Sequence, residues 1–400
     1  MIKSKCAPCA SVNRLRGKIG SFRVALVAVS GLALSSGAMA GATINGPGDS
    51  SFTIGAGLRT SYTSLEKGAP DGTSSSNDFE IDSVRVFTSG QIMKGIKATI
   101  NLERTPAENF RVLDAIAQFE PYESFNVWFG RMLPPSDRAN LAGPYYANAW
   151  QYPGVVSQYP QTFAGRDTGV TVWGKPLAGK LTYAVGAFKG HNNVTGGSNT
   201  GDNLLFTGRL AYSFLDAEPA PAYYVGNTYY GSNDIFTVGV AFFNQKDGVG
   251  TSTTTKGDYS AWNIDALFEK KMGGGALTLE GAYYDYNLDG KRDCGDGLAG
   301  SVACPAGDNV GGLVAGKAYL ATVAYLIPGK VGIGQFQPFV RYQEFKRDVG
   351  GTKNEQSDFG VHYVMSGHNA RISAVYSTLK DPIATVRDRN QFIVGVQLQY

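Results

Sequence analysis

The chain has 400 residues, 43% hydrophobic and 17% charged, which is too apolar and too weakly charged for a disordered protein. Its 52 glycines, 22 tyrosines and 21 phenylalanines suit strands and tight turns rather than helix bundles, and three histidines leave little for a histidine-rich metal enzyme. The formal charge of +3 misleads: the first forty residues hold six Lys and Arg and no acid, so residues 41–400 carry −3 and a nucleic-acid-binding role loses its main support.

Residues 1–40 read as a secretory signal peptide. A basic stretch ends at Arg23, an apolar run covers Val24 to Leu34, and Ala38-Met39-Ala40 supplies an A-x-A cleavage site. Eleven apolar residues are too few to span a bilayer as a helix, which takes about 20. Cys6 and Cys9 lie in this segment. Residues 41–400 are expected to form one exported domain.

From there on the chain alternates. Phe52, Ile54, Ala56 and Leu58 oppose Thr53, Gly55, Gly57 and Arg59; Ile96, Ala98, Ile100 and Leu102 oppose Lys97, Thr99, Asn101 and Glu103. Phe206, Leu210, Tyr212 and Phe214 oppose Thr207, Arg209 and Ser213; Trp262, Ile264 and Phe268 oppose Asn263, Asp265 and Glu269. The last ten residues set Phe392, Val394, Val396, Leu398 and Tyr400 against Gln391, Gln397 and Gln399. One face of each segment is apolar with aromatic ends; the other carries charges and amides. That is the signature of a transmembrane β-barrel, where a charge on the lipid face costs roughly 2–4 kcal/mol at mid-bilayer.

Such segments start near residues 52, 79, 96, 110, 125, 166, 180, 204, 234, 259, 276, 314, 335, 355, 370 and 391, which predicts an all-β antiparallel barrel of about 16 strands enclosing water. Short turns alternate with longer polar stretches at 64–77, 132–165, 191–203, 246–257, 287–312, 346–353 and 379–389. Asp216 to Asn233 is longer than a short-side turn should be. The stretch Met132 to Gly165 is long, strandless and rich in Pro, Gly, Tyr and Trp, with Asp137 and Arg138 as its charged residues; a loop of this length is usually functional.

The alternation lists the expected pore lining: Arg59, Arg85, Lys97, Arg209, Arg341 and Arg371, opposed by Glu103, Asp114, Asp265 and Glu280, with Arg138 in the long loop and Arg131 and Arg166 at its two bases. Opposed basic and acidic walls would set a transverse field across the channel. In the outside stretch after the eleventh strand, Asp285, Asn287, Asp289, Lys291 (through its carbonyl), Asp293 and Asp296 fall at the ligand positions of an EF-hand-like calcium loop, with Gly290 at the sharp turn. Cys294 and Cys304, ten apart beside it, read as a loop disulfide in an exported protein.

Several motifs together resemble the phosphate-selective porin O and P family of outer-membrane channels. They are Gln337-Pro338-Phe339-Val340-Arg341-Tyr342, Phe359-Gly360-Val361-His362-Tyr363 with Gly367-His368-Asn369-Ala370-Arg371, and the closing Gln391 to Tyr400. Val84-Arg85-Val86, Leu113-Asp114-Ala115 and Ala164-Gly165-Arg166-Asp167-Thr168-Gly169-Val170 match earlier strands. The resemblance implies a sixteen-stranded barrel, usually a homotrimer, with the third outside loop folded into the pore. Phosphate-selective members carry Lys and Arg at the constriction; the long loop here has no Lys, so phosphate specificity is not expected.

The expected function is therefore passive diffusion of small hydrophilic solutes, with a lean toward anions, across the outer membrane of a Gram-negative bacterium. No cofactor is expected to be required, and the acidic loop is a candidate site for one structural calcium. A non-conducting structural or adhesive barrel is the alternative. A barrel enzyme ranks below it, because His191, His362 and His368 have no accompanying nucleophile motif.

Overall fold

A computed structural model describes residues 41–105, 108–157, 163–291, 314–382, 384 and 386–400. The signal segment 1–40 and both Cys294 and Cys304 lie outside the described residues.

The alternation of apolar and polar residues becomes a ladder of antiparallel strands. A short strand β1 (Ala42–Asn45) precedes sixteen longer ones: β2 (Ser51–Leu65), β3 (Ser76–Met93), β4 (Ile96–Arg104), β5 (Phe110–Tyr122), β6 (Phe125–Met132), β7 (Asp167–Gly174), β8 (Leu181–Phe188) and β9 (Leu205–Ser213). They continue as β10 (Ile235–Ser252), β11 (Thr255–Met272), β12 (Gly275–Asn287), β13 (Gly316–Leu326), β14 (Gln335–Arg347), β15 (Lys353–Ser366), β16 (Ala370–Lys380) and β17 (Asp388–Gln399). Each pairs with the next, and β17 pairs with β2 from Gln391↔Leu65 to Gln399↔Gly57, closing a sixteen-stranded barrel with no free edge. β1 folds back on the start of β2, Ala42 facing Ile54, just beyond the point where Tyr400 and Ala56 exchange backbone hydrogen bonds of 3.0 and 2.8 Å.

Two solvents account for the side-chain pattern. The outward row keeps large apolar residues exposed, among them Phe242, Trp262, Val323, Val340 and Phe359, each about half exposed, because lipid rather than water meets them. The inward row is polar yet buried: Arg209, Asp265, Gln337, Asp358, His362 and Arg371 are all 4% exposed or less. Their burial shows that the barrel interior is largely filled by chain.

The strands differ from the sequence reading in the added β1 and in one expected loop. The polar stretch 246–257, expected as an outside loop, is mostly strand: β10 and β11 run 18 residues each and meet at Ser252↔Thr255. Its Thr, Ser and Gly lack apolar alternation because this end rises clear of the lipid, where the ladder persists without a hydrophobic face.

The last two residues finish the closing seam: they supply its final rungs against β2, and Gln399 donates to the β15–β16 turn (N to Asn369 O, 2.8 Å; Nε2 to His368 O, 3.1 Å). Deleting Gln399 and Tyr400 is expected to reduce the fraction of chain that runs as folded, heat-modifiable barrel in unheated gels. Unchanged folded yield would show that closure does not depend on them.

Candidate pore constriction

The segment between β6 and β7 enters the barrel instead of staying outside. Asp137 caps a short helix, α1 (Arg138–Tyr146), accepting from Asn140 N at 3.4 Å. Gly143, at φ 63°, and Pro144 break the helix, and the chain runs on extended past Ala147.

Such a strandless segment brings backbone carbonyls with no ladder partners. Wall side chains take them one after another. Arg209 Nη1 donates to Ser136 O (3.1 Å), Gln397 Nε2 to Tyr145 O (3.0 Å) and Arg371 Nη1 to Ala147 O (2.8 Å). His362 Nε2 donates to Asn148 O (2.8 Å), leaving Nδ1 to accept from Ser373 Oγ (2.7 Å). Arg59 Nη2 donates to Trp150 O (2.5 Å), Arg341 Nη1 to Gln151 O (2.7 Å) and Tyr286 OH to Val156 O (2.7 Å). Four of the arginines expected to line the pore are thus loop anchors.

Shape complements the hydrogen bonds. Trp150 packs on Phe339, Val375 and Ile393, with the Arg59 guanidinium 4.0 Å above its ring. A Cβ at Gly57 would lie 2.7 Å from the Tyr145 ring, and one at Gly395 would strike Trp150 harder still. Two wall glycines are therefore notches for two loop aromatics.

A second segment enters from the short-turn end. The β9–β10 connection, residues 214–234, reaches α1: Glu218 receives Arg138 Nη2 at 2.6 Å and Nη1 at 3.0 Å, and Arg138 also donates to Gly226 O (2.7 Å). Asp265 joins Arg209 in a two-point pair (2.6 and 2.7 Å) and accepts from Arg138 N. Glu269 accepts from Thr228 Oγ1 and from the backbone N–H of Tyr229 and Gly231. Asn227 donates to Glu280 (2.6 Å), His368 to Thr228 O (2.9 Å) and Lys175 to Ala220 O (2.6 Å). Burial alone would lower the Arg138 pKa, but the Glu218 and Asp265 carboxylates more than reverse it. Glu218, which burial would raise, is held below the ordinary carboxylate value by Arg138. Burial, helped by the Arg371 charge, depresses His368 to about 3, so it stays neutral.

Facing these two segments, β3–β5 carry a row of paired charges, joined by Arg166 from the chain just before β7. Arg85 meets Glu103 at 2.5 Å with Tyr145 close over it, Arg166 meets Asp114 at 3.1 Å, and Lys97 meets Glu120 at 2.6 Å toward the short-turn end. Asn101 and Gln118 bridge between them, donating to Asp114 and accepting from Thr99.

Two groups are placed otherwise than the sequence suggested. Arg131 lies opposite Ala115 and Thr168, in the outward row with Phe129, so its Cα–Cβ bond points away from the lumen; Nε turns back to Leu113 O (3.3 Å). Its place at a loop base did not override the period of two. In the calcium motif, Asp285 and Asn287 remain in the β12 ladder, opposite Trp262 and Ser260, so the chain is extended where a calcium loop must curl. Asp289 and Lys291 follow in the turn, Asp289 N donating to Asn287 Oδ1 (2.8 Å), while Asp293 and Asp296 lie outside the described residues. Among the described residues, no group of three or more His, Cys, Asp or Glu could hold a metal. Glu218 and Asp358 were missed, and Glu269 and the 214–234 segment were given no role in the site; the unusual length of that connection, with Tyr223, Tyr224, Tyr229 and Tyr230 in it, was the available signal.

The profile of the family described as phosphate-selective porin O and P matches residues 52–400. The chain belongs to that family. It is an outer-membrane porin of the Gram-negative type, a passive diffusion channel, and its family and fold are those of a channel rather than an enzyme. Among solved structures, OmpF of Salmonella typhi in complex with daunomycin aligns with TM-score 0.58 at 15% identity, over 90% of this chain and 100% of that one. OmpT of Vibrio cholerae aligns at 0.54 and 14%, over 89% and 100%. The outer membrane channel DcaP of Acinetobacter baumannii aligns at 0.53 and 13%, over 90% and 100%. At these identities the likeness is one of fold. No curated protein matches the sequence.

For this porin, Gly395→Val should unseat Trp150 and raise single-channel conductance. Glu218→Ala should leave the Arg138 charge buried without its two-point partner, costing about 3–5 kcal/mol. It should also expose the 214–234 segment to protease in the folded barrel. Conductance unchanged in the first variant, or protection unchanged in the second, would contradict these packing roles.

Proposed function

We propose that solutes pass between the inserted loop and the β3–β5 wall, and that the channel admits small hydrophilic solutes with a modest preference for anions. The observation that carries this reading is the charge inventory of the throat. Arg85, Arg166 and Lys97 are each paired with a carboxylate of β4 or β5, and so present alternating charge to a passing solute. Arg59 and Arg371 have no carboxylate within ion-pairing distance among the described residues; backbone carbonyls hold them instead, which orients the guanidinium without cancelling its charge. Glu269 and Glu280 likewise have only neutral donors among the described residues, but they stand on β11 and β12 under the β9–β10 connection, whereas Arg59 and Arg371 stand on β2 and β16 beside the β3–β5 passage and favour anions there. Phosphate selectivity is not part of the proposal: the one arginine of the long loop, Arg138, is committed to Glu218 and Asp265.

A homotrimer is part of the same reading, supported by the family and by a solved structure of Vibrio cholerae OmpT described as a trimer form. Removal of residues 1–40 and a Cys294–Cys304 bridge rest on the sequence alone.

Reversal potentials in a potassium chloride gradient across a planar bilayer test the proposal. The wild-type channel should favour chloride. Arg59→Gln with Arg371→Gln should lower that preference severalfold, whereas the two Arg→Lys changes should largely keep it. A cation preference in the wild type would remove the anion reading, and absence of any conductance would favour a closed structural barrel.

A further inference from the structure

Two wall carboxylates lie under the β9–β10 connection, and their surroundings differ. Glu269 accepts from the hydroxyls of Thr228 and Thr278 and from the backbone N–H of Tyr229 and Gly231, a full set of donors for a buried anion. Glu280 is 7% exposed and accepts a single hydrogen bond among the described residues, from Asn227 Nδ2 at 2.6 Å. A buried carboxylate needs more than one neutral donor: it is fully hydrogen-bonded, paired with a charge, or a ligand to a cation.

The cations near Glu280 are Arg138 and Arg341, and both are already balanced. Arg138 and its neighbour Arg209 face Glu218 and Asp265, two charges against two. Arg341 donates from Nε to Asp358 and from Nη1 to Gln151 O, each at 2.7 Å. The charge of Glu280 is therefore surplus at this place.

Beside Glu280 lies a cavity of about 10 Å³, between the inserted loop, the β9–β10 connection and the wall. It has room for one particle the size of a water and is too small for a permeating solute. Its polar lining is Asn148 from the loop, Asn227 from the connection, and Glu280, Thr322 and Arg341 from β12, β13 and β14. Asn148 is 1% exposed, and neither its side-chain oxygen nor its nitrogen has a hydrogen-bond partner. Asn227 Oδ1 has none either, in a residue 5% exposed. Two inserted segments and the wall thus bring buried oxygens to one small space.

We propose that this cavity is a site for one monovalent cation of sodium's size. Its ligands are the Glu280 carboxylate, the side-chain carbonyl oxygens of Asn148 and Asn227, and the Thr322 hydroxyl. Hard cations take oxygen sets of this kind. A single positive charge balances Glu280, whereas a divalent ion would leave a surplus charge buried beside Arg341. A water alone would satisfy the amides and leave the carboxylate charge uncompensated. The ion ties the loop and the connection to the same point of the wall, so its occupancy sets how firmly both are held in the lumen. The site does not depend on which ions the passage prefers.

The test uses the folded full-length barrel in neutral detergent at about pH 8, where ordinary carboxyl groups are ionised. Sodium chloride is the probe. N-methyl-D-glucamine chloride at the same concentration is the control, since its cation is too large for the cavity. Protease should cut within residues 132–165 and 214–234 about fivefold more slowly in sodium. Glu280→Gln should be cut at one rate in both salts, and Glu344→Gln on the outer face should keep the full sodium effect. Heat-modifiable mobility reports whether each variant is folded. If Glu280→Gln fails to fold, Asn148→Ala gives the same readout, because it removes a ligand from the loop without touching the wall. Equal cutting of wild type in both salts would leave Glu280 to a proton and a water and overturn the proposal. So would a sodium effect that survives undiminished in Glu280→Gln or Asn148→Ala.

Discussion

A barrel wall spends all its backbone donors and acceptors on its own ladder, so a segment inserted into the lumen must find side-chain partners for its peptide groups. In this porin the demand falls on the carbonyls of residues 136–156, and the answer is a set of Arg, His, Gln and Tyr donors spaced around β2, β9, β12 and β14–β17. The position of the loop, the burial of the wall arginines and the shape of the remaining passage all follow from that one requirement.

It also changes what the lumen charges do. A basic residue facing water would be free to meet solute; one that ends on a loop carbonyl has a fixed direction and a smaller reach. Arg138 and Arg209 are drawn further, into a buried cluster with Glu218 and Asp265 that joins the loop to the β9–β10 connection. Isolated buried pairs are weak evidence of stability, but removal of one partner is costly, so such a cluster fixes arrangement more than it adds strength.

The sequence made the wall legible and the contents of the lumen less so. Two solvents on opposite faces enforce a period of two, which is why Arg209, Asp265 and Arg371 could be placed inside from spacing alone. The same rule, applied strictly, puts Arg131 outside with Phe129; the expectation failed where proximity to a loop was allowed to outweigh the period. At the calcium spacing the same period sets the first two positions. Asp285 and Asn287 match a ligand motif, yet Tyr284 before them and Tyr286 between them are inward residues of a continuing strand, and ladder formation decides the backbone there. The partners Glu218 to Arg138 and Asn227 to Glu280 are separated by 80 and 53 residues, and no local pattern encodes such pairs.

The two glycine notches tie the throat to the closure of the wall. Gly57 lies on β2 and Gly395 on β17, the first and last of the sixteen closing strands, which are neighbours at the seam. Tyr145 sits over one and Trp150 over the other, so the inserted loop clamps both sides of the seam from within. A wider residue at either glycine would press on the throat and on the closing strands together.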